Sequence, residues 1–167
     1  MPRREAVRQS KFRVPIGVIG PREATEEQLA AAEAIGAGLA AMGLMVICGG
    51  RQGVMEATCR GVARAGGLSI GLLPEEDASA ANPYVTVALA TGIGEARNAL
   101  VARAAHCLVA IGDSYGTLSE VALGLQFGKT VIGLAGAARV PGVKQVDGVE
   151  AALDAVAEAV LEPPSSS

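Results

Sequence analysis

Residues 14–53, VPIGVIGPREATEEQLAAAEAIGAGLAAMGLMVICGGRQG, place two short β-branched runs on either side of one long helical stretch. Val14–Gly20 is apolar over a strand's length and closes on Gly20-Pro21, which reads as a buried strand. Thr25 and Gln28 have capping-box spacing, so a helix opens there, runs to about Met42 and stops at Gly43. Leu44–Cys48 is a second strand, and Gly49–Gly53 turns into a second helix, Val54–Ala65. Buried strands joined through a helix make a βαβ unit in a parallel sheet. The stretch Leu29–Gly50 is apolar apart from Glu33, and ~20 apolar residues can span a bilayer. Its Ala and Gly content and the break at Gly43 favour helix followed by strand.

The alternation continues outward. Leu68–Leu73 is a third strand, and Tyr84–Ala90 a fourth beyond an acidic loop. A helix over Glu95–Ala105 leads to a fifth strand at His106–Ile111, then a helix over Thr117–Phe127 and a sixth strand at Lys129–Leu134. Residues 135–147 read as loop, and Val149–Leu161 as a last amphipathic helix. Strands alternating with helices predict one doubly wound, Rossmann-like α/β domain over residues 14–162, with a mainly parallel sheet of six or seven strands. The tail 163–167 reads as disordered.

Composition narrows the function. The chain has 167 residues, one domain's length, and is 50% hydrophobic with two Phe, two Tyr and no Trp. The net charge of −3 divides into +4 over residues 1–13 and −7 over the remainder. An acidic body with few aromatics has neither the phosphate-neutralising charge nor the stacking platform of a nucleic-acid binder. The basic leader reads as a flexible, solvated arm and not as a signal peptide, because no apolar run follows its arginines. Cys48, Cys59 and Cys107 form no CxxC pair and read as buried thiols of a cytoplasmic protein. The single histidine, His106, reads as structural, and no protein metal site is expected. The first helix has almost no polar face after Glu33, so its second side is expected to meet another subunit in a homodimer or homotetramer.

Ligands of open α/β sheets bind beyond the carboxyl ends of the strands. The turn ending at Gly20 lacks the full GxGxxG, and Cys48 stands where a dinucleotide fold offers a carboxylate to ribose, so NAD is not expected. Three further glycine-bearing loops enter helices, whose free N–H groups suit anions. Gly49, Gly50 and Gly53 let a phosphate approach, with Arg51 in the mouth. In Thr91–Asn98, Arg97 occupies a first turn, where the macrodipole disfavours a cation by ~0.3–1 kcal/mol unless an anion is near. That anion is a ligand, or a local carboxylate such as Glu95 or Glu120. In Gly112–Glu120, the spacing of Thr117 and Glu120 fits a capping box, or else a phosphate on the Gly116 and Thr117 amides with Glu120 facing it.

The ordered segments GGRQGVMEA (49–57), TGIGEARN (91–98), GDSYGTLSE (112–120) and GKTVIGL (128–134) resemble the LOG family, long misnamed lysine decarboxylase-like. The resemblance covers roughly residues 14–135 and is strongest to the branch that contains molybdenum cofactor carrier proteins. LOG enzymes cleave the N-glycosidic bond of nucleoside 5′-monophosphates, using a PGGxGTxxE loop and an arginine from the preceding helix. By that resemblance Gly116, Thr117 and Glu120 match the loop and Arg97 the arginine, with Arg97 and Glu120 catalytic if the chain is a hydrolase. Gly112-Asp113-Ser114 replaces Pro-Gly-Gly, and Asn98 stands where LOG enzymes have lysine. These departures favour a carrier of a small phosphorylated ligand, either molybdenum cofactor or a nucleotide. The candidate ligand residues are Gly20; Gly49, Gly50, Arg51 and Gly53; Arg97 and Asn98; and Gly112, Ser114, Tyr115, Gly116 and Thr117.

Overall fold

A computed structural model describes residues 2–163. Its sheet strands are β1 (Ile16–Ile19), β2 (Val46–Cys48), β3 (Ser69–Leu73), β4 (Val87–Ala90), β5 (Cys107–Ile111), β6 (Thr130–Leu134) and β7 (Val143–Gln145). The helices are α1 (Arg3–Ser10), α2 (Glu26–Ala41), α3 (Val54–Arg64), α4 (Arg97–Ala104), α5 (Tyr115–Gln126) and α6 (Val149–Leu161). All strands run parallel in the order β4-β3-β2-β1-β5-β6-β7. Helices α1, α2, α3 and α6 pack on one face, and α4 and α5 on the other. The doubly wound parallel sheet is therefore as expected, and its seventh strand lies within the stretch read as loop.

Two expectations are corrected. The basic leader is not a loose arm: α1 docks on α6, where Arg4 meets Asp154 at 3.1 Å and Glu150 at 2.8 Å, and Val7 is buried. Its positive charge finds the acidic face of the last helix, distant in sequence, and one apolar side chain anchors it. Nor does α2 need a second subunit to cover it. A Cβ at Gly36 would lie 2.1 Å from the Thr58 carbonyl oxygen, one at Gly61 would lie 2.0 Å from that of Glu33, and Gly38 faces Leu153. Its small residues let α3 approach to backbone contact on one side while α6 takes the other, so one chain supplies both partners.

The apolar stretch Leu29–Gly50 divides into α2 and β2, and among the described residues no helix is long and apolar enough to cross a membrane. His106 is structural, its Nε2 2.9 Å from the Ala159 carbonyl and its ring edge-on to Phe12. Apart from Pro163, the tail read as disordered lies outside the described residues.

Candidate functional site

Strands β1 to β4 step one way across the sheet and β5 to β7 the other, so the winding reverses between the paired strands β1 and β5. Loops leaving the carboxyl ends of strands at such a switch point part and leave a crevice. Here it is a cleft of about 840 Å³. Its wall takes Gly20, Pro21, Arg22 and Glu23 after β1, Gly49, Arg51 and Gln52 after β2, and Pro74 after β3. Met55 of α3, Glu95, and Arg97 and Asn98 of α4 add to it, as do Asp113 and Ser114 after β5 and Gly116, Thr117 and Glu120 of α5.

Of the expected residues, Gly20, Gly49, Arg51, Arg97, Asn98, Ser114, Gly116, Thr117 and Glu120 come together on this wall. Gly50, Gly53, Gly112 and Tyr115 do not. Gly50 abuts Gly71, and its carbonyl accepts from the Asn82 amide at 2.9 Å. Gly53 has φ +72, and a Cβ there would lie 2.3 Å from the Arg22 carbonyl oxygen; it seats the start of α3 on the Pro21–Arg22 turn. Gly112 packs against Gln28 and donates to the Leu134 carbonyl, while Tyr115 is 95% exposed.

The two expected anion-facing arginines are already engaged. Arg51 is ion-paired with Glu75, the residue after Pro74, so its charge is compensated within the wall. Arg97 is buried, donating from Nη1 to the carbonyls of Gly49 and Leu72, both at 2.6 Å, and from Nε to Asn98 Oδ1 at 2.9 Å. It makes no ion pair with Glu95 or Glu120 among the described residues. Its place in the first turn of α4 is thus explained by the carbonyl ends of β2 and β3, which supply the negative potential a ligand was expected to bring. Asn98 passes the tie on, donating to Ser119 Oγ at 3.1 Å.

Helix α5 begins at Tyr115, two residues earlier than expected, and this decides what Glu120 is for. Ser114 is the N-cap: its Oγ accepts from the Thr117 amide at 3.1 Å and lies 2.8 Å from Thr117 Oγ1. Thr117 is therefore not a cap, and Glu120 closes no capping box. The Glu120 side chain faces the cleft, 8% exposed, with no hydrogen-bond partner among the described residues. Burial pushes its carboxyl up to about 8, opposed by the nearby Arg97 charge and reinforced by Glu95. Near neutral pH it is a proton-bearing donor. Asp113 stands beside the α5 start, its Oδ1 accepting from the Ser114 amide at 2.9 Å.

Arg22, Glu23, Gln52, Met55, Pro74, Glu95 and Asp113 were not among the expected site residues, yet all line the cleft. The signal for Arg22 is its place directly after the Gly20-Pro21 pair that closes the first strand. Behind the wall, Cys48 and Cys59 lie 3.6 Å apart, Sγ to Sγ, packed with Met55, and Cys107 is buried elsewhere in the core. All three serve as packing residues, as the sequence indicated.

A model of the SLOG cluster4 family matches residues 13–160. An Archaeoglobus fulgidus protein is 39% identical over 119 residues, covering 71% of this chain and 78% of its own. The molybdenum cofactor binding protein of Rippkaea orientalis superposes with a TM-score of 0.82 at 34% identity, covering 87% of this chain and 96% of that one. The molybdenum cofactor carrier protein of Chlamydomonas reinhardtii gives 0.83 at 33% identity, covering 90% and 100%.

Proposed function

Because the chain belongs to the SLOG cluster4 family, we propose that it is a carrier-like protein that holds a small phosphate-bearing ligand, molybdenum cofactor or a nucleotide, in the β1–β5 cleft. The observation that carries this reading is the cleft itself, at the starts of α3 and α5, in a chain one-third identical to solved molybdenum cofactor carrier and binding proteins over about nine-tenths of its length. Helix starts offer N–H groups to an anion. The neutral Glu120 carboxyl adds a donor deeper in the wall. Arg97, which in a hydrolase of this type would steer the anion or the carboxylate, spends three hydrogen bonds on protein acceptors.

Calorimetric titration with molybdenum cofactor and with nucleoside 5′-monophosphates, each beside its dephosphorylated counterpart, tests the reading. Saturable binding that depends on the phosphate, with the nucleotide recovered intact by chromatography, is the expected result. No saturable binding of any phosphorylated compound would end it.

One observation favours a second reading. Glu120 is buried, free of any capping role and protonated near neutrality, as a general acid of an N-glycosidic phosphoribohydrolase would be. Free base released from AMP, lost in Glu120→Gln while binding persists, would replace the carrier by that enzyme. A cytoplasmic location and assembly into two or four copies accompany either reading. For the assembly, the exposed Leu100 and Leu118 on α4 and α5 offer apolar area, and light scattering measures it.

A further inference from the structure

Three arginines line the cleft, and their surroundings differ in kind. Arg97 is buried and divided among two strand carbonyls and Asn98. Arg51 is held by Glu75. Arg22 is exposed at the mouth and has neither an ion pair nor a side-chain hydrogen bond among the described residues. The carboxylates of Glu23, Glu95 and Asp113 line the same cleft, so an arriving anion meets a rim on which negative charge outnumbers free positive charge. A ligand carrying phosphate needs a cation there that is not already spent.

The backbone beneath Arg22 is fixed. The Val54 amide donates to the Pro21 carbonyl at 3.1 Å, and Gly53 packs against the carbonyls of both Pro21 and Arg22. The side chain therefore leaves from an anchored turn, with the α3 start behind it and Gly116 at the exposed start of α5 on the same cleft. Its guanidinium can present a two-pronged donor to phosphate oxygens.

From this division of labour we infer that Arg22 is the residue that recognises the ligand's phosphoryl group, and that Arg51 and Arg97 build the wall instead. The inference rests on the phosphate-ligand reading above. It orients the ligand: the dianionic end sits at the mouth between Arg22 and the start of α5, and the ring reaches inward toward Met55 and Glu120.

The test measures the affinity of the full chain for AMP, adenosine and inorganic phosphate in wild type, Arg22→Ala, Arg22→Lys and Arg8→Ala. Arg8, exposed on α1 away from the cleft, controls for the loss of one positive charge. Arg22→Ala is expected to weaken AMP about tenfold or more, a loss in keeping with one charge-assisted contact, and to leave adenosine unchanged. Arg22→Lys should recover part of the loss, Arg8→Ala should behave as wild type, and the salt dependence of AMP binding should be shallower in Arg22→Ala. Thermal melts check that the variants fold. If wild type binds AMP or phosphate and Arg22→Ala binds them equally well, the assignment of Arg22 is overturned and the carrier reading stands. Equal loss of AMP and adenosine makes Arg22 structural and overturns it too. If wild type binds no phosphorylated probe at all, the underlying reading fails first and takes this inference with it.

Discussion

Arg97 Nη1 lies 2.6 Å from the carbonyl oxygen of Gly49 and 2.6 Å from that of Leu72, so one buried guanidinium ties the ends of β2 and β3 together at the edge of the cleft. The residue that most resembles an anion ligand in the sequence is a clamp on the wall. Arg97→Ala leaves two buried carbonyls and the Asn98 side chain without their donor. Each orphaned group costs roughly 1–3 kcal/mol, so urea denaturation should show a loss of that order or more. Arg97→Lys should rescue little, because an ammonium cannot reproduce the fork. Wild-type stability in Arg97→Ala would refute the clamp.

Glu120 gives the protein a pH dependence of defined sign. Burial first of all holds its carboxyl up to about 8 in the folded chain, against an ordinary value of 4.5. Between those values the folded protein keeps a proton that the unfolded chain has released, so this group makes stability fall as pH rises and stops contributing slope above about 8. Glu120→Gln cannot ionise. Its stability relative to wild type should therefore climb between pH 5 and pH 8 and then level off, as read from urea midpoints at several pH values. A flat difference would place an ionised carboxylate in the cleft at neutral pH.

The contact between α2 and α3 depends on two glycines that face backbone. Gly36→Ala puts a methyl 2.1 Å from the Thr58 carbonyl oxygen, and Gly61→Ala puts one 2.0 Å from that of Glu33. Alanine favours an exposed helix by ~1 kcal/mol over glycine, but the helices must separate to admit it, and overpacking of this kind costs roughly 1–3 kcal/mol. Both variants should melt below wild type. An unchanged melting temperature would mean that the helices sit farther apart.

Removing residues 1–12 tests whether α1 belongs to the fold. Val7 is 1% exposed, and burying a side chain of that size contributes about 1.5–3 kcal/mol. The truncated chain should unfold at lower denaturant, whereas Arg4→Ala, which removes solvent-facing ion pairs and one hydrogen bond to the Glu150 carbonyl, should lose less, about 1 kcal/mol. Equal stability of truncated and full chains would return the segment to the status of an appendage.

What could be read from the amino-acid order was local and periodic. Apolar runs of strand length closed by glycine or proline located six of the seven strands. Thr25 and Gln28 located the start of α2, where both capping-box bonds form. The strand–helix alternation implied the parallel sheet and the edge at which a cleft would open. Short β7 carries too few apolar residues to stand out from the loop around it, and α1 has one buried residue against six charged or polar neighbours, so neither announced itself.

The roles of the charged residues were decided by tertiary structure. Arg51 meets Glu75, Arg97 meets carbonyls 48 and 25 positions away, and the basic leader meets Glu150 and Asp154 at the other end of the chain. Backbone preference and hydrophobic period act over a few residues and are written in order along the chain. Which arginine is already neutralised, and which carboxyl is dry enough to keep its proton, depends on groups that only folding brings within a few ångströms. Hence the sequence by itself determined the sheet and the place of the site, and only the packed chain separated its wall from Arg22 at its mouth.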